Sequence, residues 1–126
     1  MATILLIEDS EISQEAVSLI LGNQGHQVEV AKDLRTGIRM LREVEFDLIL
    51  MDLNLPGVRG EYGTKFVRQR LQLDTPIIIV SGEIQEETRE KLEPLGVSGF
   101  VAKEEDFEPK LTGEIARVLG EEGGGS

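Results

Sequence analysis

The sequence predicts an α/β fold in which a five-stranded parallel sheet is covered by helices on both faces. Five short apolar runs alternate with segments in which apolar residues recur at helical spacing, and this alternation is typical of a doubly wound parallel sheet. The run at residues 76–80 reads Pro-Ile-Ile-Ile-Val, without a polar residue. Because such a strand is buried on both sides, helices are expected on both faces of the sheet.

The first elements follow from strand runs and from glycine stop signals. The predicted strands are residues 3–7, 27–30, 47–51, 77–80 and 99–102. The first helix is expected at about residues 13–21, because Gly22 and Gly25 come soon afterwards. Its core-facing residues are predicted to be Ile12, Ala16, Leu19 and Ile20.

The second and third helices follow from a capping residue and from a proline stop. Asp33 is suited to cap the second helix. The apolar residues of that helix recur at helical spacing: Leu34, Ile38, Leu41 and Val44. The third helix is expected at about residues 63–73, before Pro76. Three glycines in residues 57–63 predict a mobile loop before it.

The last two helices each contain a proline. The fourth carries one apolar stripe, Ile84, Thr88, Leu92 and Leu95, and Pro94 should weaken its last turn. The fifth begins near Asp106 and has Pro109 in its first turn, where proline is tolerated. Its buried residues are predicted to be Leu111, Ile115, Val118 and Leu119.

Length and composition predict one folded domain. A chain of 126 residues with 40% apolar content can bury most of its surface in one core. We expect residues 1–120 to form this domain and the glycine-rich residues 121–126 to be a flexible tail or linker.

Charge and the first residues restrict partners and compartment. The formal net charge of −11 works against direct binding to nucleic acid or to an anionic membrane. No cysteine is present, which excludes disulfides and thiolate metal sites. The first apolar run is too short for a signal peptide or a membrane span, so a cytoplasmic protein is expected.

Charged side chains follow three of the predicted strands. Glu8 and Asp9 end the first, Asp52 ends the third, and Lys103 follows the fifth. Open parallel sheets bind ligands beyond the carboxyl ends of their strands. The sequence therefore predicts a site with two acidic groups and one ammonium group at this edge.

These residues resemble the receiver domain of two-component response regulators. The resemblance rests on Glu8-Asp9, on Asp52 with Asn54 and Pro56 after it, on Ser81-Gly82, and on residues 100–103, Phe-Val-Ala-Lys. Asp52 follows Asp9 by 43 positions, Ser81 follows Asp52 by 29, and Lys103 follows Ser81 by 22, as in that family. The likeness covers about residues 3–119 and implies a flavodoxin-like strand order, 2-1-3-4-5.

The resemblance implies a regulatory phosphoacceptor rather than an enzyme. Asp52 would accept a phosphoryl group from the phosphohistidine of a histidine kinase or a histidine phosphotransfer protein. The implied direct ligands of Mg²⁺, with Mn²⁺ as an alternative, are Asp9, Asp52 and the backbone carbonyl of Asn54, with Glu8 acting through water. Oxygen ligands of this kind suit magnesium.

The same resemblance assigns residues to the output and to the lifetime of the phosphorylated state. Lys103 and Ser81 would contact phosphoryl oxygens. Ser81 and Phe100 would shift together and remodel the face formed by the fourth helix, fifth strand and fifth helix, to which an unidentified effector would bind. Asn54 and Glu83 would tune the rate of phosphoryl loss.

Three positions depart from the family pattern. Glu8 stands where aspartate is more frequent, which lengthens the side chain. Phe100 lacks the hydroxyl group of the tyrosine that is often found there. Glu104 follows Lys103 where the family usually has proline, so the turn after Lys103 is an open question.

Two alternatives remain open on sequence grounds. A phosphorylation-independent receiver-like binding module would keep the acidic pocket without the switch. A small aspartate-nucleophile phosphatase of the haloacid dehalogenase type would place its nucleophile on an early strand and an acid two residues later, where this chain has Asn54.

Overall fold

The computed structural model describes residues 1–120, which form a three-layer α/β structure. The predicted tail, residues 121–126, lies outside the described residues. The central sheet has five parallel strands in the order β2-β1-β3-β4-β5. They are β1 (Thr3–Ile7), β2 (Gln27–Ala31), β3 (Leu48–Met51), β4 (Ile77–Ser81) and β5 (Val97–Ala102). The predicted fold class and strand order are confirmed.

Five helices connect and cover these strands. They are α1 (Glu11–Asn23), α2 (Leu34–Glu43), α3 (Gly60–Lys65), α4 (Glu86–Leu92) and α5 (Phe107–Leu119). A π-helical turn, Phe66–Arg70, extends α3, and a 3₁₀ turn, Glu93–Leu95, extends α4. Pro94 lies in the 3₁₀ turn, so the expected weakening of the last turn is observed.

Two hydrophobic clusters lie on opposite faces of the sheet. Side chains alternate between the faces along each strand, so Leu5 and Ile7 contribute to one cluster and Ile4 and Leu6 to the other. The first cluster is covered by α2, α3 and α4 and the second by α1 and α5. The central strands β1 and β3 are therefore buried on both sides, as the apolar runs predict.

The predicted inner face of α1 is wrong. Val17 and Leu21 are buried, whereas the side chains of Ile12 and Leu19 are 82% and 66% exposed. Ala16 is also exposed, whereas Ile20 packs half-buried against the second cluster, as predicted. Two apolar stripes compete on this helix, and spacing alone does not decide which of them faces the core.

The predicted boundaries of α2 and α3 also need correction. Helix α2 ends at Glu43, so Val44 lies in extended backbone and is 49% exposed instead of buried. Helix α3 begins at Gly60, three residues earlier than predicted. Gly63 is compatible with the helix because it packs closely on β3: an added Cβ would lie 3.0 Å from the sulfur of Met51.

A short antiparallel hairpin precedes α3, where the sequence predicts only a loop. Its strands are Asn54–Leu55 and Val58–Arg59, joined by Pro56 and Gly57. Gly57 has a φ of 74°, which a type II turn requires at its third position and which glycine adopts without strain. The hairpin fixes the backbone immediately after Asp52.

One further property concerns membranes. Within residues 1–120, no helix combines the length and the apolar character needed to cross a membrane.

Two glycines in helices test the packing of α2 against β1. A Cβ added at Gly113 on α5 would have no atom within 4 Å beyond its own helix, whereas a Cβ at Gly37 would lie 2.7 Å from Cδ1 of Ile7. Gly113→Ala should raise the free energy of unfolding by about 0.5–1 kcal/mol, because alanine is the better helix former. Gly37→Ala should lower it, because the fully buried Ile7 must move. Chemical denaturation of both variants checks this, and an equal gain would contradict the packing.

Candidate acidic phosphoacceptor site

The carboxyl ends of β1 and β3 place two carboxylates side by side. The ladder continues past both strands: the Glu8 N–H donates to the carbonyl of Ala31 at 2.9 Å, and the Asp52 N–H donates to that of Ile7 at 3.1 Å. The side chains of Glu8 and Asp52 are buried, with residue exposures of 2% and 6%. Asp9, the next residue after Glu8, is exposed.

The three carboxylates form one cluster. One oxygen atom from each of Glu8, Asp9 and Asp52 lies within 4.8 Å of the other two. At about 4 Å and an effective dielectric constant of 20, two unit charges repel by about 4 kcal/mol. Such a cluster favours a neighbouring cation, because a cation removes this repulsion.

Lys103 supplies one cation from the end of β5. Its Nζ atom donates to Oε1 of Glu8 at 2.5 Å, to Oδ2 of Asp52 at 3.2 Å and to Oγ of Ser13 at 3.3 Å. Its backbone N–H donates to the carbonyl of Ser81 at 2.8 Å, which fixes the start of its side chain beside β4. The predicted pairing of Lys103 with Asp52 is present, and Glu8 is an additional, closer partner.

Burial and charge shift the pKa values of both members of this pair. Burial raises the pKa of Glu8 above its ordinary value, and the charge of Asp52 adds to the rise, while hydrogen bonds from Lys103 and Ser10 offset part of it. Burial opposes the charge of Lys103, but its bond to Glu8 and the charges of Asp52 and Glu8 outweigh this effect, so the pKa of Lys103 is raised. Lys103 therefore remains protonated at neutral pH.

Asn54 connects Asp52 with Ser81. The backbone N–H of Asn54 donates to Oδ1 of Asp52 at 2.9 Å, and its side-chain amide donates to the hydroxyl of Ser81 at 3.4 Å. Ser81 is fully buried at the end of β4. The predicted residues Asp52, Asn54 and Ser81 are thus brought together on one side of the cluster.

Polar residues at the start of α1 support Glu8. Ser10 caps the helix, and its N–H donates to Oε2 of Glu8 at 3.1 Å. The side-chain amide of Gln14 donates to the backbone carbonyl of Glu8 at 2.6 Å. Sequence reasoning placed the helix start at Ser13 and missed these contacts, although serine at position 10 is a recognisable N-cap signal.

Two predicted residues, Glu83 and Phe100, lie away from the cluster. Glu83 is exposed and lines a cleft of about 310 Å³ with Asn54, Arg59 and others. Phe100 is half-buried on β5, and its ring lies under the guanidinium group of Arg89, 4.8 Å from Cζ to the ring centroid. The contact with Arg89 was not predicted.

The turn after Lys103 forms without a proline. The Glu104 N–H donates to the carbonyl of Ala102 at 2.9 Å, and the Phe107 N–H donates to that of Glu104 at 3.0 Å. No cis peptide bond occurs in residues 1–120. The departure at Glu104 therefore leaves Lys103 in reach of the acidic cluster.

The carboxylate and ammonium groups of the cluster determine which ligands this site can bind. Three carboxylates and one ammonium group leave an excess of negative charge when all are ionised, and oxygen atoms are the ligands that Mg²⁺ prefers. A buried carboxylate beside a lysine and a hydroxyl group is also suited to accept and hold a phosphoryl group. A family model described as the response regulator receiver domain matches residues 4–114.

The chain belongs to the response regulator receiver domain family. The sensor histidine kinase AruS of Pseudomonas aeruginosa is 32% identical over 123 residues, which cover 95% of this chain and 12% of that protein. The chemotaxis protein CheY4 of Vibrio cholerae has a solved structure with 30% identity and a TM-score of 0.85, covering 94% of this chain and 98% of that one.

A third comparison involves a more distant structure. The response regulator TrrA of Thermotoga maritima, solved with Mg²⁺ and BeF, is 20% identical with a TM-score of 0.81, and the match covers 94% of this chain and 99% of that one. At this identity the likeness shows the fold alone.

The chain is thus a receiver domain of two-component systems, with an acidic pocket that fits a phosphoacceptor site. Receiver domains bind Mg²⁺ at such a site. The chain spans 12% and 35% of the lengths of two curated relatives, AruS and the transcriptional regulator AfsQ1. The family match over residues 4–114 supports the receiver domain and argues against the phosphatase alternative.

Removing Lys103 should destabilise the receiver domain in a pH-dependent way. In Lys103→Met, Glu8 loses the bond that lowers its pKa, so its folded-state pKa rises further above the unfolded value. A carboxyl group whose pKa is higher in the folded than in the unfolded state favours the folded state at low pH. The free energy of unfolding then falls as the pH rises through the folded-state pKa. The free energy of unfolding should fall by about 1–3 kcal/mol at neutral pH, with a smaller loss near pH 4.

The matched control is Lys110→Met, because Lys110 pairs with Asp106 on the surface with both side chains 54% exposed. Denaturant unfolding at several pH values should give a change within about 1 kcal/mol for this variant. A loss in Lys103→Met that does not vary with pH would contradict the role assigned to Glu8.

Proposed function

We propose that Asp52 is the residue of this receiver domain that becomes phosphorylated. The observation that carries the proposal is its position: Asp52 is buried at the end of β3, 3.2 Å from Nζ of Lys103 and within the cluster of Glu8 and Asp9. Asp9 is exposed, and Glu8 is paired more closely with Lys103 than Asp52 is, at 2.5 Å.

The proposed reaction transfers a phosphoryl group from a phosphohistidine. An oxygen of Asp52 attacks phosphorus, the phosphorus–nitrogen bond breaks, and its electron pair passes to the imidazole nitrogen, which regains neutrality as the donor histidine. Lys103 stabilises the charge on the phosphoryl oxygens, and the Ser81 hydroxyl donates a hydrogen bond to one of them. Positioning and electrostatic stabilisation account for most catalysis of such transfers.

The proposed metal ligands are Asp9, Asp52 and the backbone carbonyl of Asn54, with Glu8 nearby. Bound Mg²⁺ would neutralise charge between the carboxylates and the phosphoryl oxygens. Mn²⁺ shares the preference for oxygen ligands and is a second candidate. The oxygen atoms of the carboxylate cluster support this choice of metal.

The proposed partners follow from the phosphoryl donor. A histidine kinase or a histidine phosphotransfer protein would phosphorylate Asp52, and relatives such as AruS are sensor histidine kinases. Residues 1–120 would act as the receiver unit. The chain would work in the cytoplasm as a regulatory phosphoacceptor. It would assist only its own phosphorylation and dephosphorylation. It would not bind nucleic acid or a membrane directly.

The proposed output is a population shift that involves Ser81 and Phe100. When Ser81 donates to the phosphoryl group, the Phe100 ring moves inward, and the surface of α4, β5 and α5 changes. Phe100 cannot form the hydrogen bond of a tyrosine, so the cation–π contact with Arg89 is the polar interaction that holds its ring in the present position.

Phosphorylation is tested by mass spectrometry. The protein incubated with acetyl phosphate and Mg²⁺ should gain the mass of one phosphoryl group, and peptide mapping should assign it to Asp52. Asp52→Asn should gain none, whereas Asp74→Asn, an exposed acid elsewhere, should behave like the wild type. A phosphoryl group on another residue, or none on any, would refute the assignment.

The same samples test the residues proposed to tune the lifetime. After the donor is removed, Asn54→Ala with Glu83→Ala should lose the phosphoryl group at a different rate from the wild type, because both polar side chains line one cleft and Asn54 is bonded to Asp52. An unchanged rate would remove this role.

The contact between Arg89 and Phe100 gives a prediction for the switch. A cation–π contact near the surface contributes about 0.5–1 kcal/mol, so Arg89→Gln should shift the half-buried ring inward and raise the affinity for beryllofluoride with Mg²⁺ about two- to fivefold. Titration followed by NMR measures this, with Lys91→Gln on the same helix as the control. An unchanged or lower affinity in Arg89→Gln would show that Arg89 does not hold the ring.

One observation favours the alternative of a phosphorylation-independent binding module. Nζ of Lys103 lies closer to Glu8 than to Asp52, at 2.5 Å against 3.2 Å, so part of the pocket is already neutralised. If beryllofluoride with Mg²⁺ produces no NMR shifts that depend on Asp52, the module describes the protein better.

A further inference from the structure

Arg59 is a basic residue beside the acidic site that makes no ion pair with another described residue. It is exposed, and it lines two clefts, one of which includes Asp9 of the cluster. One, of about 310 Å³, includes Asn54 and Glu83, and the other, of about 500 Å³, includes Asn54 and Asp9. Arg59 thus lies where the two clefts meet.

The hairpin directs Arg59 toward the site. Asn54 and Arg59 are directly opposite in the antiparallel pair, and side chains of opposite residues lie on the same face of a hairpin. The amide of Asn54 reaches Ser81 on that face. The side chain of Arg59 therefore starts from the face that borders Asp52, Asn54 and Ser81.

The sequence breaks a local rule at this position. Arg59 is the N-cap residue of α3, and it makes no capping bond, whereas Ser, Thr, Asp or Asn at an N-cap stabilises a helix. A positive charge at the positive end of a helix is also unfavourable. Rules of this kind are broken more often where a residue has a function.

We propose that Arg59 binds the doubly negative phosphoryl group of the donor as it approaches Asp52. The proposal rests on Asp52 as the phosphoacceptor. Lys103 is held by Glu8 and Asp52, whereas Arg59 is exposed beside the site and makes no ion pair with a described residue, so its guanidinium group can contact an incoming dianion. A guanidinium group binds two phosphoryl oxygens at once.

With acetyl phosphate as the donor, every bond and electron pair of the transfer is accounted for. An Asp52 oxygen forms a bond to phosphorus, the bond between phosphorus and the acyl oxygen breaks, and the carboxylate leaves with the electron pair. Arg59 contacts the donor before and during this step and exchanges no proton. Its effect is on donor binding, because the domain carries a net charge of −11 that repels dianions.

Rates of phosphorylation by acetyl phosphate test the proposal. Arg59→Gln should lower the ratio kcat/KM about two- to fivefold, as expected for an exposed charge contact, mainly through KM, and should reduce the dependence of the rate on ionic strength. Arg59→Lys should restore part of the rate. Arg39→Gln, which removes an exposed arginine on α2, is the control with equal net charge and should keep more of the wild-type rate.

A second variant separates binding from helix stability. Arg59→Ser supplies the missing cap and should raise the thermal midpoint while leaving the rate as low as in Arg59→Gln. If Arg59→Gln matches Arg39→Gln in rate and salt dependence, or if Arg59→Ser restores the wild-type rate, the proposal is wrong.

Donor binding without transfer distinguishes this proposal from the assignment of Asp52. In an Asp52→Asn background, acetyl phosphate should shift the NMR signals of residues 54 and 59, and adding Arg59→Gln should weaken the binding two- to fivefold. Equal binding of acetyl phosphate to Asp52→Asn and to the double variant would overturn the role of Arg59, even if Asp52 accepts a phosphoryl group. A wild type that takes up no phosphoryl group, with weaker donor binding in the double variant, would instead overturn only the assignment of Asp52.

Discussion

One ammonium group shared by two buried carboxylates is the interaction on which this site depends. Nζ of Lys103 contacts both Glu8 and Asp52, and without it two buried acids would face each other with no neutralising partner. Breaking a buried ion pair is costly because it leaves a charge uncompensated. Lys103 neutralises only one of the three carboxylates, so the folded domain keeps a site that attracts a divalent cation and, with that cation, a phosphoryl group. Stability and function therefore depend on the same unbalanced charge.

The sheet creates this charge arrangement through its topology. In the order β2-β1-β3-β4-β5, the carboxyl ends of β1 and β3 are adjacent, which brings Glu8 beside Asp52. The strand β5 lies two positions from β3, and the length of a lysine side chain spans that separation. The backbone bond from Lys103 to Ser81 then sets the start of this side chain. Apolar clusters on both faces of the sheet bury β1 and β3, the two strands that end in Glu8 and Asp52.

The sequence predicted the parts that depend on pattern and failed where several patterns compete. The strands, the strand order and the meeting of Glu8, Asp9, Asp52 and Lys103 follow from apolar runs and from a family resemblance. The prediction of the inner face of α1 was wrong because Ile12 and Leu19 form a stripe as regular as that of Val17 and Leu21. The close pair of Glu8 and Lys103 joins residues 95 positions apart, and the hairpin that directs Arg59 depends on pairing between residues that the sequence marks only as a turn. Neither carries a local signal.

The most direct test of the unbalanced site is the free energy of unfolding measured against the concentration of Mg²⁺. If the carboxylate cluster holds the ion only in the folded state, stability should rise with concentration and gain about 2.7 kcal/mol at a hundred times the dissociation constant. Asp9→Asn, which removes one exposed carboxylate of the cluster, should weaken or abolish that gain. A wild-type stability that does not change with Mg²⁺, or an equal gain in Asp9→Asn, would contradict the account.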